Sequence, residues 1–176
     1  MPLVFVAQFD LAAVAKVGKG LPLPRRGRLS FFVSTDLDTL GYLEVARVLH
    51  LTTGKLVRTA PPEGVEIFAP CQVELHAVLS TPSSSSKRLD RLLTKAERAR
   101  YEAEVDAGMD AELQLLGHRA HGWDRSIKAT EALLLQCPSD NQADMCWGDV
   151  EVLSFVIARK ALAAGDFSKV RCQLGD

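Results

Sequence analysis

Residues 133–162 constrain the fold more strongly than any other part of the chain. Two apolar runs at the ends of this stretch enclose a polar, acidic loop that finishes with Trp147, Gly148 and Asp149. Gly148 suits a tight turn, and Asp149 can accept backbone N–H groups there. Trp147 can cover an edge of the core with its own N–H satisfied. Because each run has the length and composition of a buried strand, we predict two core strands joined by the loop, at residues 133–136 and 152–157.

Shorter patterns predict further strands in the first half of the chain. Residues 3–9 form an apolar run, and Asp10 directly after it can cap a following helix. Residues 29–33 predict a second buried strand. Residues 73–79 alternate apolar and polar side chains, which is the period of a half-buried strand. The segment 44–56 fits a short helix or a strand about equally well, and the β-branched residues beyond its turn favour the strand.

The second half of the chain opens with a Ser-rich stretch and continues with a helical pattern. Residues 80–88 have the composition of a flexible, solvated connection. Leucine and alanine then recur at helical spacing, which predicts one longer helix over about residues 88–116. Thr94 and Glu97 have the spacing of a capping box, but leucines precede them, so the helix can begin at either place.

The charges on this predicted helix oppose the helix dipole, because basic residues lie near its start and acidic residues near its end. The available i,i+4 pairs have the less favourable orientation and contribute only about 0.2–0.5 kcal/mol each. One interpretation is a bipolar face that binds a protein partner, or a second copy of the chain by self-association. The other is a solvated helix whose tertiary packing outweighs the dipole. The candidate partner-binding residues are Lys95, Arg98, Arg100, Glu102 and Glu104.

Length and composition exclude several classes of protein. The 176 residues suit one domain over residues 1–176, and the net charge of -1 gives no electrostatic reason to bind nucleic acid or anionic lipid. No run of about 18 apolar residues exists, so no membrane-spanning helix is expected. The first residues lack the basic region of a signal peptide. The four cysteines form no CxxC pair, which favours free thiols in a reducing cytoplasm.

Candidate ligand-binding residues lie in the loop after the predicted helix and in the Trp-Gly-Asp turn. His118 and His121 have HxxH spacing, but flanking glycines favour a loop, and no third metal ligand follows at a characteristic distance. The acidic loop lacks the alternate carboxylates of a calcium loop. The sequence contains no nucleophile elbow, HExxH or phosphate-binding glycine loop, so we expect no metal and no cofactor. The candidate ligand-binding residues are His118, His121, Trp123, Asp124, Trp147 and Asp149.

Four segments, in order along the chain, carry a family resemblance. They are PLVFVAQFDL at residues 2–11, LPLP with GRLSFF at residues 21–32, His118 with Gly122, and LLQ, WGD and DF between residues 134 and 167. Together they resemble the YwqG-like family, a mainly bacterial family of domains of unknown function. The resemblance implies an α+β fold with an antiparallel sheet. Together with the patterns above, it leads us to expect a mostly antiparallel sheet with short helices and the one longer helix. It implies no established activity.

The chain departs from the family pattern at two places. The family usually carries a further segment before its first strand, so this chain is either a shortened member or begins at an internal start. The family also has Ala-Gly after WGD, where this chain has Val150 and Glu151. We expect a non-enzymatic protein-binding or interaction domain. The alternatives are an immunity protein that neutralises a toxin, and a small-molecule-binding protein or hydrolase with a site near His118, His121 and Asp149.

Overall fold

The structure is a computed structural model that describes residues 3–34, 46–54, 57, 59–65, 67–84, 86, 89–105, 111–119, 127–149 and 151–175. Antiparallel sheets and helices make up this part of the chain, so the predicted α+β class is confirmed. The strands are β1 (Val4–Asp10), β2 (Arg28–Val33), β3 (Ala46–Leu51), β4 (Gln114–Leu115), β5 (Glu131–Pro138), β6 (Val152–Ala158) and β7 (Arg171–Gly175). The α-helices are α1 (Leu11–Val17), α2 (Lys95–Glu104) and α3 (Arg159–Ala164), and 3-10 helices cover Leu89–Arg91 and Phe167–Lys169.

The strands form two antiparallel sheets with the orders β1-β2-β3 and β4-β5-β6-β7. Asp10 ends β1 and begins α1, because its Oδ1 accepts the backbone N–H of Ala12 at 2.8 Å and of Ala13 at 3.3 Å. This is the predicted cap, since an aspartate at this position satisfies N–H groups that the first turn of a helix leaves free. The backbone N–H of Leu11 also donates to the carbonyl of Gly27 at 3.0 Å, which fixes the helix against the start of β2.

The ambiguous segment 44–56 forms a strand over Ala46–Leu51, and the described residues 52–54 lie beyond its end. Ala46–Leu51 pairs with β2 in continuous register, from Val33 opposite Ala46 to Arg28 opposite Leu51. The side chains of this segment fit a helix or a strand. It forms a strand because β2 supplies hydrogen-bond partners for its backbone N–H and C=O groups. Residues 44–45 and 55–56 lie outside the described residues.

The two sheets share one hydrophobic core. Phe31 of β2 and Phe155 of β6 are both 0% exposed, and their rings meet edge to face with centroids 5.1 Å apart. Phe9 contacts Phe31 in the same geometry at 5.9 Å. The two predicted core strands are confirmed as β5 and β6, which pair antiparallel from Glu131 opposite Ala158 to Pro138 opposite Val152.

The predicted longer helix over about residues 88–116 is wrong in its extent. α2 begins after Thr94, whose side chain accepts the N–H of Glu97 in the predicted capping box. The leucines before it form a 3-10 turn, and Gln114–Leu115 forms β4 because it pairs with β5. Residues 106–110 lie outside the described residues. None of the described helices is long and apolar enough to cross a membrane.

The predicted half-buried strand at residues 73–79 is not formed. These residues enter none of the strand pairings of the described chain, and Val73, Val78 and Leu79 are 47%, 63% and 101% exposed. Leu75 is partly buried against the core. An alternating pattern becomes a strand only where a neighbouring strand satisfies its backbone N–H and C=O groups, and the described residues place no such strand beside this segment.

The Ser-rich segment was predicted to be solvated, but three of its serines are buried. Ser83, Ser84 and Ser86 are 1%, 8% and 7% exposed. The hydroxyl of Tyr101 in α2 donates to the carbonyl of Pro82 at 2.6 Å, and Arg98 donates to the carbonyl of Ser84 at 2.9 Å. Side chains of α2 therefore bind the backbone of the Ser-rich segment.

Candidate functional site

The structure places His118 in a tight loop that is held by main-chain contacts. Its backbone N–H donates to the hydroxyl of Ser80 at 2.9 Å, and its carbonyl accepts from the side-chain amide of Gln114 at 2.9 Å. Gly117 has a φ of +87°, and a Cβ there would collide with Ser80 and Gln114, so the loop requires glycine. The other candidates from this loop, His121, Trp123 and Asp124, lie outside the described residues.

Trp147 and Asp149 point to different environments. Trp147 is 1% exposed and packs edge to face against Phe68, with ring centroids 5.3 Å apart. Its indole N–H was expected to be satisfied, but Nε1 has no hydrogen-bond partner of good geometry among the described residues. Gly148 has a φ of +50°, and Asp149 is exposed. The turn closes the core strands, and it does not bring Trp147 and Asp149 into one pocket.

The candidate partner-binding residues of α2 are exposed or half-buried, and several of them pair within the chain. Arg98 forms an ion pair with Asp90, and Arg100 pairs with Glu104 at 2.7 Å. No residue of α2 is buried. Lys95 and Glu102 are exposed. Because internal pairs already use part of the bipolar charge pattern, partner binding by this helix stays a prediction.

Sequence reasoning missed a large groove beside β1. A cavity of about 1030 Å³ is bounded by residues 3–8, by parts of residues 59–73, and by residues 111–113 and 137–145. We call it the β1 groove. Its lining does not include His118, Trp147 or Asp149. The described candidates His118, Trp147 and Asp149 therefore lie outside the lining of this groove.

The groove runs along the edge of β1. Successive residues of a strand point to opposite faces of the sheet, so a cavity that is lined by six consecutive residues, 3–8, must touch the edge and its backbone. In the described chain β1 pairs with β2 alone, since it is the first strand in the order β1-β2-β3. An edge strand presents backbone N–H and C=O groups that can pair with another chain.

The segment that contains Pro70 lines the groove but does not pair with β1 as a strand. Its sequence explains why. Residues 67–73 are uncharged and mostly apolar but include Pro70, and Pro61 and Pro62 precede them. A proline has no backbone N–H to donate, so a segment interrupted in this way does not complete a ladder with β1. Prolines within an apolar segment were the signal in the sequence that this segment would not pair as a strand.

The buried thiol at the groove is poorly suited to nucleophilic chemistry. Burial raises the pKa of the Cys137 thiol to about 12, although the neighbouring Trp147 acts in the opposite direction. A thiol with so high a pKa holds almost no thiolate at neutral pH. Cys71 is exposed and contacts the carbonyl of Gln142 at 3.4 Å. The described residues contain no group of three His, Cys, Asp or Glu side chains that could hold a metal ion.

Comparison with known proteins identifies a family whose function is unknown. A family model described as a domain of unknown function, DUF1963, matches residues 1–175. No curated protein matches the chain. Since the family model spans nearly the whole sequence, the chain belongs to the DUF1963 family, a family of unknown function.

Proposed function

We propose that this chain is a non-enzymatic protein-binding domain that takes an extended polypeptide segment along the free edge of β1. The observation that carries the proposal is the groove lined by residues 3–8 in unbroken order on a strand with one sheet neighbour. A peptide that adds a strand to such an edge gains affinity from main-chain hydrogen bonds and specificity from pockets for alternate side chains.

The size of the groove fits one strand. The lining of residues 3–8 is about 17 Å long at a rise of about 3.3 Å per residue. A strand occupies about 4.8 Å in the hydrogen-bonding direction and about 10 Å across its two faces, so six residues need roughly 800 Å³. The cavity of about 1030 Å³ holds that volume.

The finer predictions from the sequence are parts of this proposal. The four matching segments support a YwqG-like type within the family and a bacterial source, and the chain length supports one domain over residues 1–176. Free thiols support a cytoplasmic setting. An immunity protein that neutralises a toxin would be one form of the protein binding proposed here. A small-molecule site or hydrolase near His118, His121 and Asp149 has no observation in its favour, because His118 is held by main-chain contacts and Asp149 is exposed.

The test is selection of extended peptides followed by amide hydrogen exchange. Peptides of eight residues selected from a random library should bind and should slow exchange at the amides of residues 3–8. Ile67 lines the groove and is 66% exposed, so Ile67→Ser should leave folding intact and weaken binding. Covering such a side chain contributes about 1–2 kcal/mol, which is roughly a 5- to 30-fold change in affinity.

The control uses an exposed apolar residue away from the groove. Leu92 is 74% exposed and does not line the cavity, so Leu92→Ser should bind the same peptides with unchanged affinity. Failure to select any peptide would refute the proposal, and so would protection of amides that leaves β1 unaffected.

A further inference from the structure

The described lining of the β1 groove carries negative charge only. Its charged residues are two carboxylates, Glu112 and Asp140, and it contains no lysine, arginine or histidine. The other described lining residues are apolar or uncharged. A cleft that is lined by one sign of charge between low-dielectric walls concentrates its electric field on whatever enters it. A group that enters the groove beside these carboxylates is therefore favoured when it is positively charged.

The two carboxylates lie on neighbouring stretches of chain. β4 pairs antiparallel with β5 through Gln114 opposite Gln136, a direction that carries Glu112 toward Pro138. The side-chain amide of Gln136 donates to the carbonyl of Glu112 at 3.2 Å, which keeps Glu112 beside β5. Asp140 lies two residues beyond Pro138. With a strand spacing of about 4.8 Å and a rise of about 3.3 Å per residue, the two Cα atoms are about 8 Å apart. One cation can therefore contact both carboxylates.

Asp140 is held in place by its own turn. Its backbone exchanges two hydrogen bonds with Met145, at 2.8 and 2.9 Å. Its Oδ1 accepts the backbone N–H of Gln142 at 2.7 Å and of Ala143 at 3.3 Å. The turn is also joined to another part of the lining, because the backbone N–H of Ala69 donates to the carbonyl of Ala143 at 2.9 Å. The carboxylate therefore has a defined position in the groove.

Neither carboxylate is neutralised within the described chain. None of the ion pairs there includes Glu112 or Asp140. The turn contacts of Asp140 come from neutral amide groups, so they leave its charge uncompensated. Both residues are exposed, so each carboxylate stays charged and accessible to a ligand.

We propose that the segment bound in the β1 groove is apolar except for a single lysine or arginine, whose cation lies between Glu112 and Asp140. This inference rests on the proposed function, since it names the chemistry of the segment that adds to β1. The apolar side chains cover residues such as Phe5 and Ile67, which are 49% and 66% exposed. A lysine ammonium meets both carboxylates as a point charge, and an arginine guanidinium donates to both through its fork of N–H groups. One position is cationic, because the rest of the described lining offers no further carboxylate.

A lysine scan of one peptide tests the charge separately from strand addition. Each position of a capped, uncharged, mostly apolar peptide of eight residues is replaced in turn by lysine or by acetyl-lysine, which keeps the stem and removes the charge. Fluorescence polarisation measures the affinities at low and high salt. At one position lysine should bind about 5-fold more tightly than acetyl-lysine, on the scale of two exposed ion pairs, and high salt should reduce the difference. At the other positions lysine should bind no more tightly than acetyl-lysine.

Variants assign the cation to the two carboxylates. Glu112→Gln and Asp140→Asn should each reduce the lysine preference about 2-fold, and Asp140→Asn keeps an oxygen that can accept the N–H groups of the turn. The double variant Glu112→Lys/Asp140→Asn should prefer glutamate to lysine at the same peptide position. Asp144→Asn removes an exposed carboxylate of the same loop that does not line the groove, and should leave the preference unchanged. Thermal unfolding of each variant shows whether it is folded.

The outcomes separate the two proposals. Equal affinity for lysine and acetyl-lysine at every position would overturn the charge inference and leave strand addition standing, and so would a lysine preference that neither Glu112→Gln nor Asp140→Asn reduces. Binding of none of the peptides, together with no peptide selected from the library, would overturn both. A long-chain alkylamine that binds more tightly than every peptide would assign the groove to a small apolar amine. A dimer of the free protein that Ile67→Ser dissociates would assign it to a second copy. Either of these last two results would refute the peptide proposal.

Discussion

The contact between Phe31 and Phe155 joins the two sheets, and its energy can be measured. Both rings are 0% exposed, and their centroids lie 5.1 Å apart at an interplanar angle of 73°. Leucine has three fewer side-chain carbons than phenylalanine. At about 0.8 kcal/mol for each buried carbon, the loss of buried area alone in Phe31→Leu or Phe155→Leu should lower the free energy of unfolding by about 2.4 kcal/mol.

The double variant should lose less than the sum of the two single losses. An edge-to-face aromatic pair contributes about 0.5–1.5 kcal/mol beyond its buried area, and this pair energy is removed in full by either single change. The expected coupling in a double-mutant cycle is therefore about 0.5–1.5 kcal/mol. In a domain of this size, 1 kcal/mol corresponds to about 2–4 °C in Tm, so each single variant, which loses the buried area and the pair energy together, should melt about 6–16 °C below the parent.

Urea unfolding followed by tryptophan fluorescence supplies the four free energies. The control cycle combines Phe31→Leu with Leu89→Ala, because Leu89 is buried outside the core cluster of Phe31. Distant changes add within about 0.3–0.5 kcal/mol. A Phe31–Phe155 coupling no larger than that of the control cycle would show that the two sheets do not share a core.

Three further predictions concern an ion pair, a helix cap and the thiols. Arg171 binds Glu131 through two contacts, at 3.2 and 2.9 Å. Partial burial acts to raise the pKa of Glu131, but hydrogen bonds and the charge of Arg171 outweigh it and the pKa is lowered. The pair therefore stabilises the fold above about pH 4.3 and loses this effect as the pH falls through the lower folded pKa. Glu131→Gln should lower the free energy of unfolding in urea by about 1 kcal/mol at pH 7. An equal loss at pH 3 would contradict this. Thr94→Ala should speed amide exchange in the first turn of α2 about 5-fold and Thr94→Ser should not, whereas unchanged exchange in the alanine variant would refute the capping box. Two thiols should react with an aromatic disulfide reagent in the folded protein and two only after denaturation, because exposed thiols react and buried ones with raised pKa do not; four fast thiols would contradict the structure. The exposed pair is Cys71 and Cys146, and the buried pair is Cys137 and Cys172.

Local signals in the sequence located most of the regular elements. Asp10 predicted the start of α1, because a cap is an interaction between near neighbours in the chain. The apolar runs of β5 and β6 were found because a strand buried on both faces is apolar throughout. The capping box at Thr94 was also recognised, yet the leucines before it suggested a longer helix. Leu89 is buried within a 3-10 turn, so its burial arises from tertiary packing that helical spacing cannot indicate.

Features that depend on distant partners were not predictable in this way. Residues 73–79 have the period of a strand but no strand beside them in the described chain, and residues 46–51 have an ambiguous pattern but pair fully with β2. The groove also depends on residues that are distant from one another in the sequence. Residues 3–8 indicate a strand, but the sequence does not say which edge of it stays unpaired or that residues 59–73 stand opposite. The sequence therefore predicted the candidate site at histidines and aspartates, because the chemical properties of these side chains are known from the residue type alone.

The free edge of β1 lacks the usual protection against pairing with other chains. Residues 4–9 contain no lysine, no proline and no charge, and Phe5 is 49% exposed. Edge strands of soluble proteins are commonly guarded by such residues or by a covering segment. Here parts of residues 59–73, including Pro70, line a cavity beside that edge. The proposed function places a single extended segment in this cavity, at a strand edge that no lysine, proline or charge of residues 4–9 guards.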